Sequence, residues 1–407
     1  MTTGNTEDVL MIRSASLFSQ VLGLFSRLEF EQAVRAHRAE RYAKGFSSWD
    51  QFVAMLFCQL AQAHSLREIC GGLSCCLGKV VHLGLREVPK RSTLAYANEH
   101  RPWQLYQTVF HHLLAKCQGL ARGKTKFRFH NKLYSLDATT IDLCLTLFDW
   151  ARFRQTKGAV KLHLLLDHEG YLPTFAHITD GKTHEVKVAQ ALNFPRGSIV
   201  VLDRGYNDYR LFGRWTDEGV FFLTRLKRNA TFRVVERRPV PEQGGIRCDQ
   251  SIRLTGPRAQ HHCPHLLRRI AYRDPDTGKV LVFLTNHLGF GPTTIARIYK
   301  DRWQIEIFFK TLKQNLKVKT FVGTSPNALR TQIWTALIAM LLLKYLQLRS
   351  RLAWALSNLV AFLRWNLFTY KDLWTWIDDP FQTPPAGPPI EQLTLPLPGI
   401  GQQNPGT

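Results

Sequence analysis

Hydrophobic residues recur at three- and four-residue spacing through the first hundred positions, the period of helices that bury one face. The clearest such segment is WDQFVAMLFCQLAQAHSLREICGGL (49–73), with Ser48 placed as a cap and Gly71-Gly72 as a stop. A second helical stretch, RSTLAYANEHRPWQLYQTVFHHLLAKC (91–117), contains Pro102, which sets a break or a new first turn. The period changes at Leu133. KLYSLDATTIDLCL is β-prone, and in GAVKLHLLLDHEGYLPTFAHITDG (158–181) Val160, Leu162, Leu164 and Leu166 alternate with polar Lys161 and His163. With a turn at His168-Glu169-Gly170, that pattern predicts a hairpin. HEVKVAQAL (184–192) predicts a short helix, and GSIVVLDRGY (197–206) a buried, near-continuous apolar strand ending in Asp203. NDYRLFGRWTDEG (207–219) predicts a helix stopped by Gly219, followed by the strand VFFLTRL (220–226). From about 227 to 287, short β-prone runs are punctuated by Gly, Pro and Asp, as in a small β-rich insertion. Helices resume at PTTIARIYKDRW and continue to about residue 370.

The order is helices, then β-β-β-α-β-α-β, then a β insertion, then helices: an α/β core with helical flanks. The expected division is a helical segment over 1–125, joined by a basic linker to a core over 126–377. That core includes the 227–287 insertion and carboxyl-terminal helices over 291–370. Residues 378–407 form a Pro- and Gly-rich tail expected to be disordered.

Charge narrows the partners. The chain has 407 residues, with 54 Lys plus Arg against 31 Asp plus Glu, a formal net charge of +23. An excess of that size points to a polyanion, since each base that neutralises a phosphate releases a condensed counterion. The other anionic partner, a membrane surface, needs a lipid-facing element. Residues 1–20 lack the pattern of a secretory signal, and the most apolar window, IWTALIAMLLL (333–343), reads as a buried helix. The eight cysteines form no C-x-x-C pair and sit mostly among apolar neighbours, as in a reduced, cytoplasmic protein. HHCPH (261–265) has no second cluster at a finger-like spacing and is not read as a zinc site.

Candidate chemistry rests on three acids in basic surroundings. Glu306 lies in IARIYKDRWQIEIFFKTLKQNLKVKTFVG (295–323) among Arg302, Lys310, Lys313 and Lys317. At about 100° per residue, Tyr299, Arg302, Glu306 and Lys313 share one stripe beside the apolar face. Taken alone, the stripe could be a surface helix with an Arg–Glu pair at i,i+4. Asp137 follows 37 residues without an acid, and Asp203 ends an apolar strand at the sheet edge where α/β folds place ligands. Asp203 could also cap the next turn. Two strand-borne aspartates and one helix-borne glutamate suit a hard divalent ion such as Mg²⁺, with Mn²⁺ as a substitute. Two such ions activate an attacking oxygen and stabilise the leaving one in phosphoryl transfer, while nearby bases clamp the scissile strand.

In this order and spacing these residues resemble bacterial insertion-sequence transposases of the DDE type, in the subgroup with a Tyr-Arg-Glu-Lys signature. The signature reads Tyr299-x2-Arg302-x3-Glu306-x6-Lys313, with Asp137 in SLDATTIDL and Asp203 in VLDRGYND. WARFRQTKGAVKLHLLLD (150–167), DGKTHE (180–185) and RYAKGFSSWDQF are also similar to the family, so the resemblance covers most of residues 20–370. It implies an RNase H-like fold with Asp137, Asp203 and Glu306 as catalytic metal ligands. It implies Mg²⁺-dependent cleavage of transposon ends, a hairpin intermediate, strand transfer into target DNA, and a homodimer in the synaptic complex on double-stranded DNA. Tyr299, Arg302 and Lys313 would contact phosphates beside the cut, and the insertion would shape the hairpin. The amino-terminal helices would recognise the ends. Lys310, Lys317 and Arg204 join the expected DNA contacts on charge and position. A nuclease that cuts without joining and a non-catalytic DNA-binding derivative are the alternatives. A membrane-surface protein fits least, because no basic amphipathic helix with an aromatic face is evident.

Overall fold

The structure, a computed structural model, describes residues 15–41, 43–76, 79–154, 157–316 and 321–381. Lys317 and the Pro-rich stretch beyond residue 381 lie outside them. Among the described residues six α-helices come first: α1 (Leu17–Leu22), α2 (Arg27–Ala36), α3 (Ser48–Ala61), α4 (Leu66–Ser74), α5 (Arg91–His100) and α6 (Gln104–Ala121). The apolar run at 49–73 is two helices rather than one. Ser47, not Ser48, caps α3, accepting from the Asp50 amide while the Asp50 carboxylate accepts from the Ser47 amide. Gln62, at φ 58°, ends α3 in the left-handed region, and Gly71-Gly72 lie within α4.

The sheet begins with β1 (Leu133–Leu143), the short β2 (Arg152–Arg154), β3 (Lys157–Asp167) and β4 (Leu172–Asp180). Then come α7 (Glu185–Gln190), β5 (Ile199–Leu202), α8 (Tyr209–Asp217) and β6 (Phe221–Arg225). Strands β4, β3 and β1 run antiparallel in that spatial order, and β5 and β6 continue it parallel to β1. This is the RNase H-like arrangement. Both faces are covered. Val160, Leu162, Leu164 and Leu166 of β3 face a core shared with the helical flanks, while Leu136, Leu165, Val200, Leu202 and Phe222 pack with Trp215 and Phe212 on the other side. This two-sided burial explains why β5 reads as unbroken apolar sequence.

The β-rich segment comprises β7 (Phe232–Arg237), β8 (Ile246–Leu254), α9 (Pro257–His262), β9 (Leu267–Arg273) and β10 (Val280–Thr285). It is not a separate small sheet. β10 pairs antiparallel with β6, so β9, β8 and β7 extend the core sheet to ten strands. The chain then enters α10 (Pro292–Asp301), α11 (Trp303–Asn315), α12 (Pro326–Arg349), α13 (Leu356–Asn366) and α14 (Leu373–Asp378). By length and composition alone α12 could cross a membrane, but 83% of its most apolar window is buried inside the fold. It packs against α3, α6 and α13 within one hydrophobic cluster that joins amino-terminal helices, sheet and carboxyl-terminal helices.

Candidate active site

Register places the two aspartates. In the parallel β1–β5 pair Leu133 lies beside Ile199 and Leu136 beside Leu202, so Asp137 and Asp203 are the next residues on adjacent strands. They emerge where β5 ends and β1 continues alongside β3, with Asp137 opposite Leu164. Asp203 precedes the tight turn Arg204–Tyr206, where its side chain meets the Arg204 amide but does not cap the turn. It also accepts from Arg225 Nη2 at 2.9 Å, while its backbone carbonyl accepts from Thr224 Oγ1.

Glu306 comes from α11. The predicted helix over 295–323 breaks at Arg302, which keeps helical angles (φ −51°, ψ −30°) but joins α10 to α11. The Arg302 side chain, 9% exposed, points into the gap between strand and helix and holds two of the three acids. Nη1 donates to Asp137 Oδ2 at 3.2 Å and Nη2 to Glu306 Oε1 at 2.5 Å. The Arg–Glu pair at i,i+4 is therefore part of a bridge into the sheet rather than a surface pair. Lys313 donates to the Thr140 carbonyl, tying the far end of α11 to the same strand.

The acids differ electrostatically. Burial pushes Asp137 up to about 6, and the nearby charges of Asp203 and Glu306 add to the rise. The Ala138 amide and Arg302 oppose it. Burial acts the same way on Asp203, but the Arg204 amide and Arg225 outweigh it and hold that carboxyl below its ordinary value. Arg302 is held above its usual value: burial disfavours its charge, and Tyr299, Asp137 and Glu306 more than compensate. Like charges gathered in a partly dry cleft, neutralised by fixed guanidiniums, are common at functional sites.

Asp137, Asp203 and Glu306 line one open cleft of about 920 Å³, where Arg225, Lys126, Arg297, Lys300 and Arg302 supply positive charge and Asp274, Asp276 and Asp301 supply further negative charge. The sequence pattern did not single out Lys126, Arg225, Arg297 or Lys300. Their only signal was membership in basic runs, and the contacts that matter cross long stretches of chain. The expected DNA contacts are placed unevenly. Arg302 and Tyr299 border the cleft, but Tyr299 is only 7% exposed and packs at a tilt against Phe283 with ring centroids 4.7 Å apart. Arg204 and Lys310 are exposed.

The donor chemistry suits a hard divalent ion, since all three acids offer oxygen. Among the described residues, however, no three His, Cys, Asp or Glu side chains are gathered tightly enough to enclose a metal. The Arg302 guanidinium stands between two of the carboxylates. The surrounding polar inventory is incomplete as well: the hydroxyls of Tyr206 and Tyr299 and Nε of Arg302 are buried with no hydrogen-bond partner. Such groups accommodate an oxygen-rich ligand better than a closed core.

Comparison with known proteins identifies the family. The model of the family "transposase DDE domain" matches residues 129–342. A model of a domain of unknown function (DUF4372) matches residues 13–86. A putative transposase, y4zB, of Sinorhizobium fredii is 30% identical over 70% of this chain and 79% of its own length. The probable transposase for insertion sequence element IS5377 of Geobacillus stearothermophilus is 27% identical over 63% of this chain and 67% of its own. Transposase InsG for insertion sequence element IS4 of Escherichia coli is 23% identical over 46% and 43%.

Proposed function

The chain belongs to the transposase DDE domain family, and on that premise we propose that it cuts phosphodiester bonds at the ends of its own insertion sequence and joins those ends to target DNA. The observation that carries the proposal is that Asp137, Asp203 and Glu306, from β1, the end of β5 and α11, line one cleft in which lysines and arginines stand among the acids. In this reading the three carboxylates hold Mg²⁺, with Mn²⁺ able to replace it. The bound ions would lower the pKa of the attacking water and stabilise the leaving oxygen.

The chain's own groups do the rest. The planar fork of Arg302 matches a phosphate as well as it matches two carboxylates, so a scissile strand competes for it. Arg225 keeps Asp203 ionised and oriented. Lys126, Arg297 and Lys300 follow the backbone of bound DNA, with Lys310, Lys313 and Arg204 extending the track; Lys317, outside the described residues, is a further expected DNA contact on its charge. Tyr299 packs beneath Arg302, whose guanidinium lies 5.6 Å from the ring centroid, and would steady it as it turns to phosphate. We assign the chain to the Tyr-Arg-Glu-Lys subgroup, with a hairpin intermediate shaped by residues 227–287. End recognition falls to residues 1–125, catalysis to 126–377, and residues 378–407 form a tail outside the machinery. The working unit is a homodimer on double-stranded DNA in the cytoplasm, at the nucleoid.

A supercoiled plasmid carrying the genomic flanks of the coding sequence tests this. Nicking should require Mg²⁺ or Mn²⁺, stop with EDTA, and fall by at least ~10³-fold in Asp137→Ala, Asp203→Ala and Glu306→Ala, since each removes a ligand. A pre-cleaved end with a 3′-hydroxyl should join to a second plasmid; nicking without joining would leave a nuclease. One feature favours a non-catalytic DNA binder: Arg302 already satisfies two of the acids. That reading wins if Asp137→Ala leaves every activity of the wild type unchanged.

A further inference from the structure

Beside the cleft, and sharing Asp301 with its lining, lies a second polar constellation to which the proposed reaction assigns no chemical step. Ser135 Oγ is 2.7 Å from His168 Nε2, and His168 Nδ1 is 2.7 Å from Asp301 Oδ2. All three are buried, at 0%, 5% and 3% exposure. The ionised Asp301 can only accept, so Nδ1 carries the proton and, in the neutral ring, Nε2 accepts from the serine hydroxyl. The arrangement has the connectivity of a hydrolytic triad, but no substrate can reach a serine with no exposed surface. Its meaning lies in what it joins.

Ser135 stands two residues before Asp137 on β1, on the same face of the strand. Asp301 immediately precedes Arg302, which reaches Asp137 and Glu306. Strand and helix are thus cross-linked twice, once through Ser135, His168 and Asp301 and once through Asp137 and Arg302. Asp301 also accepts from Lys126 at 2.7 Å and from the Tyr171 hydroxyl at 3.1 Å. Tyr171 sits at φ 54°, a left-handed conformation unfavourable for a residue with a side chain, directly after Gly170 at φ 76°. The β3–β4 turn therefore carries strain at the residue whose hydroxyl reaches Asp301, as strained residues at functional sites often do.

We propose that the Ser135–His168–Asp301 relay, with Tyr171, is a positioning device that fixes the last turn of α10 against β1 and so sets how Arg302 and Glu306 meet Asp137. The proposal rests on the active-site reading above. These residues touch no substrate and act through Arg302. His168 is the best residue to change, because Asn places an amide where Nδ1 lies and keeps the bond to Asp301, whereas Ala keeps neither bond.

The test compares wild type, His168→Ala, His168→Asn and Tyr171→Phe in the full chain, with Asp137→Ala as control. Three quantities are measured: plasmid nicking in Mn²⁺, the Kd for a 40-base-pair duplex of the same flank, and backbone hydrogen exchange over residues 299–306. Misplacing a reacting group by about 1 Å costs on the order of 100-fold in rate. His168→Ala should nick roughly 100-fold more slowly, with duplex Kd within about threefold and faster exchange confined to 299–306. His168→Asn should recover to within about tenfold, and Tyr171→Phe should fall between the two. Full-rate nicking by His168→Ala with unchanged exchange overturns the relay, as does a loss of nicking, DNA binding and protection together that Asn does not restore. If wild type and Asp137→Ala nick alike, the active-site reading fails instead, and the exchange over 299–306 still decides whether the relay holds the helix.

Discussion

Asp137→Asn should make the metal-free chain more stable while abolishing its activity. The ionised Asp137 is disfavoured in the fold because it is largely buried and shares its surroundings with Asp203 and Glu306, which outweighs the help from Arg302. A rise from 3.8 to about 6 corresponds to roughly 3 kcal/mol at about 1.4 kcal/mol per pH unit. The sign follows from proton linkage. Between those values the native state holds a proton that the unfolded state has lost, so stability falls as pH rises through this window and the full cost is present above about 6. An amide carries no such cost, but it weakens the hydrogen bond to Arg302, so the net gain should be about 1–3 kcal/mol at pH 7.5. For a chain of this size that is a rise in Tm of about 1–4 °C. Thermal melts in EDTA at pH 7.5 and pH 4.5 measure it. The variant should lead at pH 7.5 and lose most of that lead at pH 4.5. Adding Mn²⁺ should raise the wild type more than the variant. A variant less stable than wild type at pH 7.5, or a gap that does not change with pH, would refute the electrostatic account of the site.

Four further outcomes follow from other parts of the molecule. Arg302→Lys keeps the charge but loses the fork that spans Asp137 and Glu306, so plasmid nicking should fall by about 100-fold, the scale set by misplacing a reacting group. Asp249 and Arg268 are each 2% exposed and paired at 2.5 Å, and Arg268 also donates to the Phe290 carbonyl ahead of α10. Asp249→Asn strands that guanidinium and should cost about 3–5 kcal/mol, read as a lower urea midpoint. A Cβ at Gly213 would lie 2.1 Å from the His262 carbonyl oxygen, so Gly213→Ala must push α8 and α9 apart, at about 2–3 kcal/mol in the same urea assay. Burial lowers Lys344 to about 8, so its charge penalises folding below that pH and the penalty fades as pH rises through 8 toward 10.5. Lys344→Met should therefore stabilise by about 2 kcal/mol at pH 7, and its advantage should shrink in melts at pH 9.5.

Much of the catalytic core was readable from local pattern. Alternation in β3, the apolar run of β5 and the helical period around Glu306 each identify an element and its buried face without reference to the rest of the chain. Asp137 and Asp203 were readable because polar residues in apolar strands need a reason. What escaped is what depends on register or distance. Helical period does not record that α10 and α11 separate at Arg302, because that residue keeps helical angles. Strand propensity found β7 to β10 but not their continuation of the core sheet, which depends on β10 lying against β6. Arg225 and Lys126 looked like any other bases. His168 read as a turn residue, and nothing near it in sequence announces Ser135 or Asp301. Tyr299 shows the opposite failure: its stripe position suggested an outward side chain, whereas it packs on Phe283.

On the proposed reading, the Glu306 carboxylate has an electrostatic role that would tie metal and DNA together. In the free chain one guanidinium, Arg302, serves both Asp137 and Glu306, and Arg225 serves Asp203. If Arg302 turned to a phosphate with nothing taking its place, two carboxylates would face each other in a half-dry cleft. If Arg302 stayed while a divalent ion entered, a guanidinium would oppose that ion at short range. Each half-step is costly, and only the exchange of both partners together leaves every charge matched. On the proposed reading Arg302 would couple the two binding events, and by reciprocity whatever a DNA end did to metal affinity, metal would do equally to affinity for the end. A second acid beside Glu306 would give Arg302 somewhere to stay.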